Sequence, residues 1–256
     1  MGKKYFVTAD IHGFYDEFIS ALYTAGFDIG NPDHVLISLG DALDRGKQPK
    51  EVLEFIMALP SSRRICIMGN HELLMEHLLK RGHATAYDKT NGTIDSVLKL
   101  TGEYVVTPVA LQKMRINHLW MQYYHSCQFY AEIGDYIFTH GWIPTEERFD
   151  KWGNFMTSDK YDPNWREASS RSWEEATWSN GMLLWKKGVR EPGKTIFCGH
   201  WHVSWGHAVL HGDGVEFPDE EGEIVHFTPF IDEGIVALDA CTAYSHQVNI
   251  FTFSID

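Results

Sequence analysis

The chain has 256 residues, 44% of them hydrophobic and 14% aromatic, enough apolar material to bury a large core and too much for a disordered chain. A formal net charge of -13 argues against general nucleic-acid binding, which needs a basic footprint to neutralise phosphates. It does not exclude a phosphate substrate, because bound divalent metals invert the field at one site. No apolar run reaches the length of a membrane span, so no transmembrane helix is expected and a membrane partner is not. The cysteines Cys66, Cys127, Cys198 and Cys241 are scattered without a CxxC pair, and a reducing, cytoplasmic setting is the simpler reading.

Taken in chain order, three short β-type runs each end in a polar, glycine-containing turn. Tyr5–Ala9 runs into Asp10-Ile11-His12-Gly13, Val35–Leu39 into Gly40-Asp41, and the run at residues 65–68 into Gly69-Asn70-His71-Glu72. Helical patterns follow at about 14–25, 47–58 and 72–82. Strand, loop and helix repeated in this way predict an α/β fold with a partly parallel sheet. The polar turns then lie beyond the carboxyl ends of the strands, where such sheets collect ligands. Residues 83–133 read as mostly helical, Ile133–Thr139 as a strand ending at His140-Gly141, and 145–190 as helices with loops. Thr195–Cys198 is a strand ending at Gly199-His200, followed by an acidic, solvated segment at 213–223 and β-type runs at 234–238 and 248–253. No linker divides the chain, so a single domain over 1–256 is expected, with insertions at about 83–133 and 145–190.

The successive strand ends carry Asp10, His12, Asp41, Asn70, His140, His200 and His202. A single aspartate after a strand is ordinarily a helix cap, and a single histidine ordinarily structural. Their recurrence at strand ends is what points to metal. Oxygen and imidazole donors without thiolates suit Mn, Fe, Zn or Co, with Mn preferred. One bridging carboxylate would let this set hold two divalent or trivalent ions. In Gly40-Asp41-Ala42-Leu43-Asp44-Arg45-Gly46, the arginine is charged at any relevant pH and can grip phosphate oxygens as a fork. Asn70 offers a neutral carbonyl ligand, which leaves His71 to face a leaving oxygen with Asp44 as its carboxylate partner.

These motifs resemble the phosphoprotein phosphatase family of metallophosphoesterases, whose pattern is GDxHG, GDxxDRG, GNHE, HGG and a later GH. Among its members, the chain is most similar to the short bacterial and bacteriophage-lambda-type phosphatases, over residues 10 to 200. The resemblance implies a calcineurin-like β-sandwich of mixed sheets flanked by helices. It implies that Asp10 and His12 bind a first metal, that Asp41 bridges, and that Asn70, His140 and His200 bind a second. His71 would be the general acid, oriented by Asp44. Arg45 and Asn70 would face the substrate. Three positions depart from the pattern: Ala9 stands before Asp10, Trp142 replaces the second Gly of HGG, and the late motif reads Gly199-His200-Trp201-His202. In the wider superfamily GHxH supplies one histidine to each metal, so His202 is either a further ligand or a structural residue. A second phosphate-binding arginine is sought among Arg166, Arg171 and Arg190. The expected activity is hydrolysis of phosphate monoesters, chiefly on Ser/Thr phosphoproteins, by direct attack of a metal-bridging hydroxide. The alternative is hydrolysis of a dinucleoside polyphosphate such as diadenosine tetraphosphate. The tryptophans at 152, 165, 173, 178 and 185 are read as packing. Trp142, Trp201 and Trp205 are candidates to wall the pocket, and His207, His211, His226 and His246 are taken as ordinary.

Overall fold

A computed structural model describes residues 2–153, 155–156 and 158–255; Asn154 and Thr157, within the expected 145–190 insertion, lie outside them. The chain opens with β1 (Lys3–Thr8), α1 (Tyr15–Thr24), β2 (His34–Ser38), α2 (Pro49–Ala58), β3 (Arg64–Ile67) and α3 (Asn70–Arg81). Helices α4 (Ala86–Asn91), α5 (Thr93–Thr101), α6 (Pro108–Arg115) and α7 (His118–Ser126) follow, within the segment expected as a first insertion. Then come β4 (Cys127–Gln128), β5 (Tyr130–Ile133), β6 (Tyr136–Thr139), a small ribbon of β7 (Arg148–Phe149) and β8 (Phe155–Met156), α8 (Ser170–Ala176) and α9 (Gly181–Lys186). The chain closes with β9 (Thr195–Cys198), β10 (Phe230–Asp232), β11 (Ile235–Ala237) and β12 (Phe251–Ile255).

One sheet runs β12-β1-β2-β3-β4 and the other β10-β11-β9-β6-β5. In the first, β1 to β4 are parallel and β12 lies antiparallel on the edge; in the second, β11, β9 and β6 are parallel between antiparallel edges. The apolar runs are continuous because both faces of each sheet are buried. Successive side chains point to opposite faces. Phe6, Leu36 and Cys66 therefore enter a core under the helices, while Val7, Ile37 and Ile67 enter one shared between the sheets. The second sheet contributes Phe138, Phe197 and Val236 to that shared core, and Ile137, Ile196 and Ile235 to a third cluster with Trp142, Trp165 and Trp173. This is the mixed-sheet sandwich flanked by helices that the motif resemblance implies.

Boundaries differ in three places. The run 133–139 is the end of one strand and the whole of the next, because Gly134 adopts φ 59° and turns β5 antiparallel onto β6. The last strand begins at Phe251 rather than at 248, where pairing with β1 starts. Residues 145–190 are less helical than expected, holding a ribbon, a 3-10 turn at Trp165–Glu167 and two short helices. Among the described residues no helix is long and apolar enough to cross a membrane.

Candidate metal centre

The loops after β1, β2, β3, β6 and β9 meet at one edge of the sandwich. Their buried side chains approach within bonding range. Asp41 stands at the middle. Its Oδ2 lies 3.6 Å from His12 Nε2 and its Oδ1 3.4 Å from His140 Nε2. Two groups of donors can therefore each surround a cation, one of His12, Asp41 and His71 and one of Asp41, His140 and His200. Asn70 Oδ1 joins the second, 2.8 Å from His140 Nε2 and 2.9 Å from His200 Nδ1. Asp10 stands beside the first. Its Oδ2 accepts from the His200 N–H at 2.9 Å, and its buried Oδ1 has no hydrogen-bond partner, 3.9 Å from His12 Nε2. A buried carboxylate oxygen without a partner is costly unless something positive meets it. Asp10 thus offers the first group an oxygen with no partner of its own, whereas both nitrogens of His12 and of His71 have hydrogen-bond partners.

Backbone carbonyls set the imidazole tautomers. His12 Nδ1–H donates to Leu43 O at 2.9 Å and His140 Nδ1–H to Leu39 O at 2.7 Å, which turns both Nε2 atoms toward Asp41. This is the carbonyl support that metal-ligating histidines require. Burial first, then the charge of Arg45, holds His12 well below the ordinary histidine range, and burial takes His200 down to about 3. Both imidazoles are thus neutral with lone pairs to give. Burial opposes an ionised Asp41, but His140 and His71 outweigh it and hold its pKa well below normal. These donors fit cations.

The backbone here is strained in one hand. Asp10, His12, Asp41, Asp44, Arg45 and His200 all have φ between 49° and 73°, the left-handed region, and they are six of the eight such non-glycine residues among those described. Each costs on the order of 1–2 kcal/mol, and such strain concentrates at functional sites. Close approach makes further demands. A Cβ on Gly69 would strike Asp41 Oδ1 and sit 2.5 Å from Asp41 N. Gly69→Ala is expected to destabilise the fold by about 2 kcal/mol or more and to weaken metal retention, read by thermal unfolding and metal analysis. Unchanged values would show that the loops can part. Glu72 ties this turn together. It accepts from Gly69 N and Asp41 N at 2.9 Å and from Ala42 N at 3.0 Å, so it supports the β2 and β3 loops as well as the start of α3.

His71 Nδ1–H donates to Asp44 Oδ2 at 2.7 Å, and Arg45 reaches His12 Nε2 at 2.9 Å and His71 Nε2 at 3.2 Å. Burial opposes charge on His71, but Asp41 and the bonded Asp44 raise its pKa above the usual value.

Other candidates lie elsewhere. His202 is two residues past the left-handed turn at His200. Its Nε2 lies 3.0 Å from Glu216 and its ring against Phe217, outside both donor groups. Arg166 is held by Glu132 and Glu191, and Arg190 donates to Glu233 O. Neither of these two reaches toward the donor groups; Arg45 does. Trp142 does not wall the pocket: it is buried and donates to Val189 O at 2.7 Å. Trp201, 36% exposed, stands 6.2 Å from the His200 ring. Trp178, read as packing, is instead 41% exposed and edge-on to His200 at 5.7 Å, and Trp152 is also exposed. Asp239, after β11, was not foreseen; it is buried, and burial pushes its pKa up to about 6. A strand followed by an aspartate in the last fifty residues was the signal available.

The sequence profile of the calcineurin-like phosphoesterases matches residues 3–221. The chain belongs to that family. Among curated relatives, the symmetrical bis(5'-nucleosyl)-tetraphosphatase of Psychromonas ingrahamii is 33% identical over 93 residues, 36% of this chain and 32% of that one. The asymmetrical bis(5'-nucleosyl)-tetraphosphatase PrpE of Bacillus velezensis is 24% identical over 152 residues, 56% of this chain and 58% of that one. The chain thus aligns with less than two thirds of the length of either. A crystal structure assigned as a diadenosine tetraphosphatase superimposes with a TM-score of 0.53 at 13% identity, covering 99% of this chain and 90% of that one. That likeness shows the shared fold.

The family is hydrolytic and metal-dependent. A pH test follows for this member of the family in the presence of a chelator. Burial opposes charge on His140, yet Asp41 and the other nearby carboxylates raise its pKa from 6.5 to about 10. The folded state then holds a proton that the unfolded chain releases earlier. The stabilisation is complete below pH 6.5 and is lost as pH rises toward about 10. Melting temperature of the stripped protein should fall across that window. Added cations compete for the same lone pair and should blunt the fall. A rise in melting temperature would contradict it.

Proposed function

We propose that this chain is a dinuclear metal-dependent phosphoesterase acting by direct attack of water on phosphorus, with residues 1–256 forming one domain. Asp10 and His12 would hold one cation, Asn70, His140 and His200 the other, and Asp41 both. The observation that carries this reading is Asp41, with one oxygen turned to each donor group. Bound there, the cations supply Lewis acidity, lowering the pKa of water and neutralising charge on phosphoryl oxygens. His71, held by Asp44, gives its proton to the leaving oxygen. Arg45 binds the phosphate. When His12 turns its lone pair to a cation, the guanidinium N–H groups now spent on it are free for phosphate oxygens. Manganese is the first choice, and the unpaired cysteines agree with a cytoplasmic setting.

Two substrate readings stand. Motif resemblance supports a Ser/Thr-type phosphoprotein phosphatase. The names of the relatives support hydrolysis of dinucleoside tetraphosphates, and the exposed Trp178 and Trp201 beside His200 suit a planar base. Turnover on phosphopeptides, diadenosine tetraphosphate and aryl phosphates, with added manganese and with chelator, tests both. Hydrolysis of none of them with metal present would end the proposal.

A further inference from the structure

Asp44 is the partner of His71, yet most of what holds it comes from the helical insertion. Its Oδ1 accepts from Ser96 Oγ at 2.6 Å, and its Oδ2 accepts from Thr93 Oγ1 at 2.8 Å as well as from His71 Nδ1–H at 2.7 Å. Its own N–H donates to Ser96 Oγ at 2.9 Å, closing a ring between the two residues. Both hydroxyls are buried. Thr93, Ser96 and Lys99 recur every three residues along α5, which puts them on one helix face. That face lies along the 44–46 turn: Lys99 Nζ donates to Gly46 O at 2.7 Å, and a Cβ on Gly92 would come 2.5 Å from Arg45 N. The turn itself is left-handed at Asp44 (φ 73°) and Arg45 (φ 60°), so it needs such support.

We propose that Thr93 and Ser96 are positioning residues for proton delivery, fixing the Asp44 carboxylate so that its Oδ2 aims the His71 ring at the leaving oxygen. This rests on His71 being the general acid. Without the hydroxyls the carboxylate rotates about its last bond, and His71 loses one fixed orientation. Helix α5 thereby acts on the proton donor only through Asp44.

A merely structural role and a positioning role separate by leaving group. A poor leaving group, an alkyl alkoxide, needs the proton; 4-nitrophenolate hardly does. Thr93→Val with Ser96→Ala should lower kcat on an alkyl phosphate by about tenfold or more, within the range of general-acid catalysis. On 4-nitrophenyl phosphate the change should stay within about twofold, with KM unaltered, because the metal centre is untouched. Thr93→Ser and Ser96→Thr, which keep the hydroxyls, should restore turnover. In a His71→Asn background the double substitution should cost nothing more, since it acts through His71. Equal losses on both substrates, or a further loss in that background, would overturn the inference while leaving the phosphoesterase reading in place. A wild-type protein inactive on every phosphoester with metal added would remove that reading, and this inference with it.

Discussion

Asp41→Ala is expected to empty both cation positions at once and to lower turnover by at least about 10³-fold, the scale of losing a preorganised charge at a phosphoryl-transfer site. The two oxygens of one carboxylate face separate donor groups, and among the described residues Asp41 alone belongs to both. His200→Ala, by contrast, touches one group and should leave part of the metal bound. The fold should survive Asp41→Ala. The lost carboxylate is the acceptor for His71 N–H at the start of α3, which costs about 1–3 kcal/mol. Against this, burial already raises the pKa of Asp10 and Glu72, and removing Asp41 relieves the repulsion that adds to it. Metal analysis beside circular dichroism reads the outcome. A folded variant that keeps its full metal content would show that Asp41 is not the shared ligand.

His71→Asn is expected to leave metal content unchanged and to reduce kcat on an alkyl phosphate by about 10²–10⁴-fold. Its Nδ1 is committed to Asp44, and its Nε2 faces the Arg45 fork 3.2 Å away. Although the ring also falls within one geometric donor group, Asp10 has the unpartnered oxygen. Loss should be smaller on diadenosine tetraphosphate or 4-nitrophenyl phosphate, whose leaving groups are less basic. Full turnover of the variant on an alkyl phosphate, or loss of metal from it, would sink the assignment.

Much of this was legible in the sequence because the informative units are local. Asp10, Asp41, Asn70, His140 and His200 each follow a strand by a few residues, and a parallel strand delivers its next loop to one edge whatever happens far away. The structure adds what the runs alone did not assign: Phe6-Val7, Leu36-Ile37 and Ile137-Phe138 split between cores with period two. What escaped depends on turns and on distant partners. The contacts of His202 with Glu216 and Phe217 depend on a loop that no periodicity encodes. Thr93 and Ser96 look like ordinary polar residues of an amphipathic helix until the fold sets them against Asp44, 49 and 52 residues earlier. Gly134 marked a turn inside one apparent strand, and with its φ of 59° the chain folds back there as a hairpin. Trp178 reached the site because α8 ends beside His200, a tertiary accident that composition does not record.

The most direct test is the metal stoichiometry of the wild-type protein, titrated with manganese after stripping and followed together with activity. Two ions per chain should bind, and hydrolysis should vanish on stripping and return as the pair of positions fills. Undiminished hydrolysis by protein shown to contain no metal would contradict the account at its root.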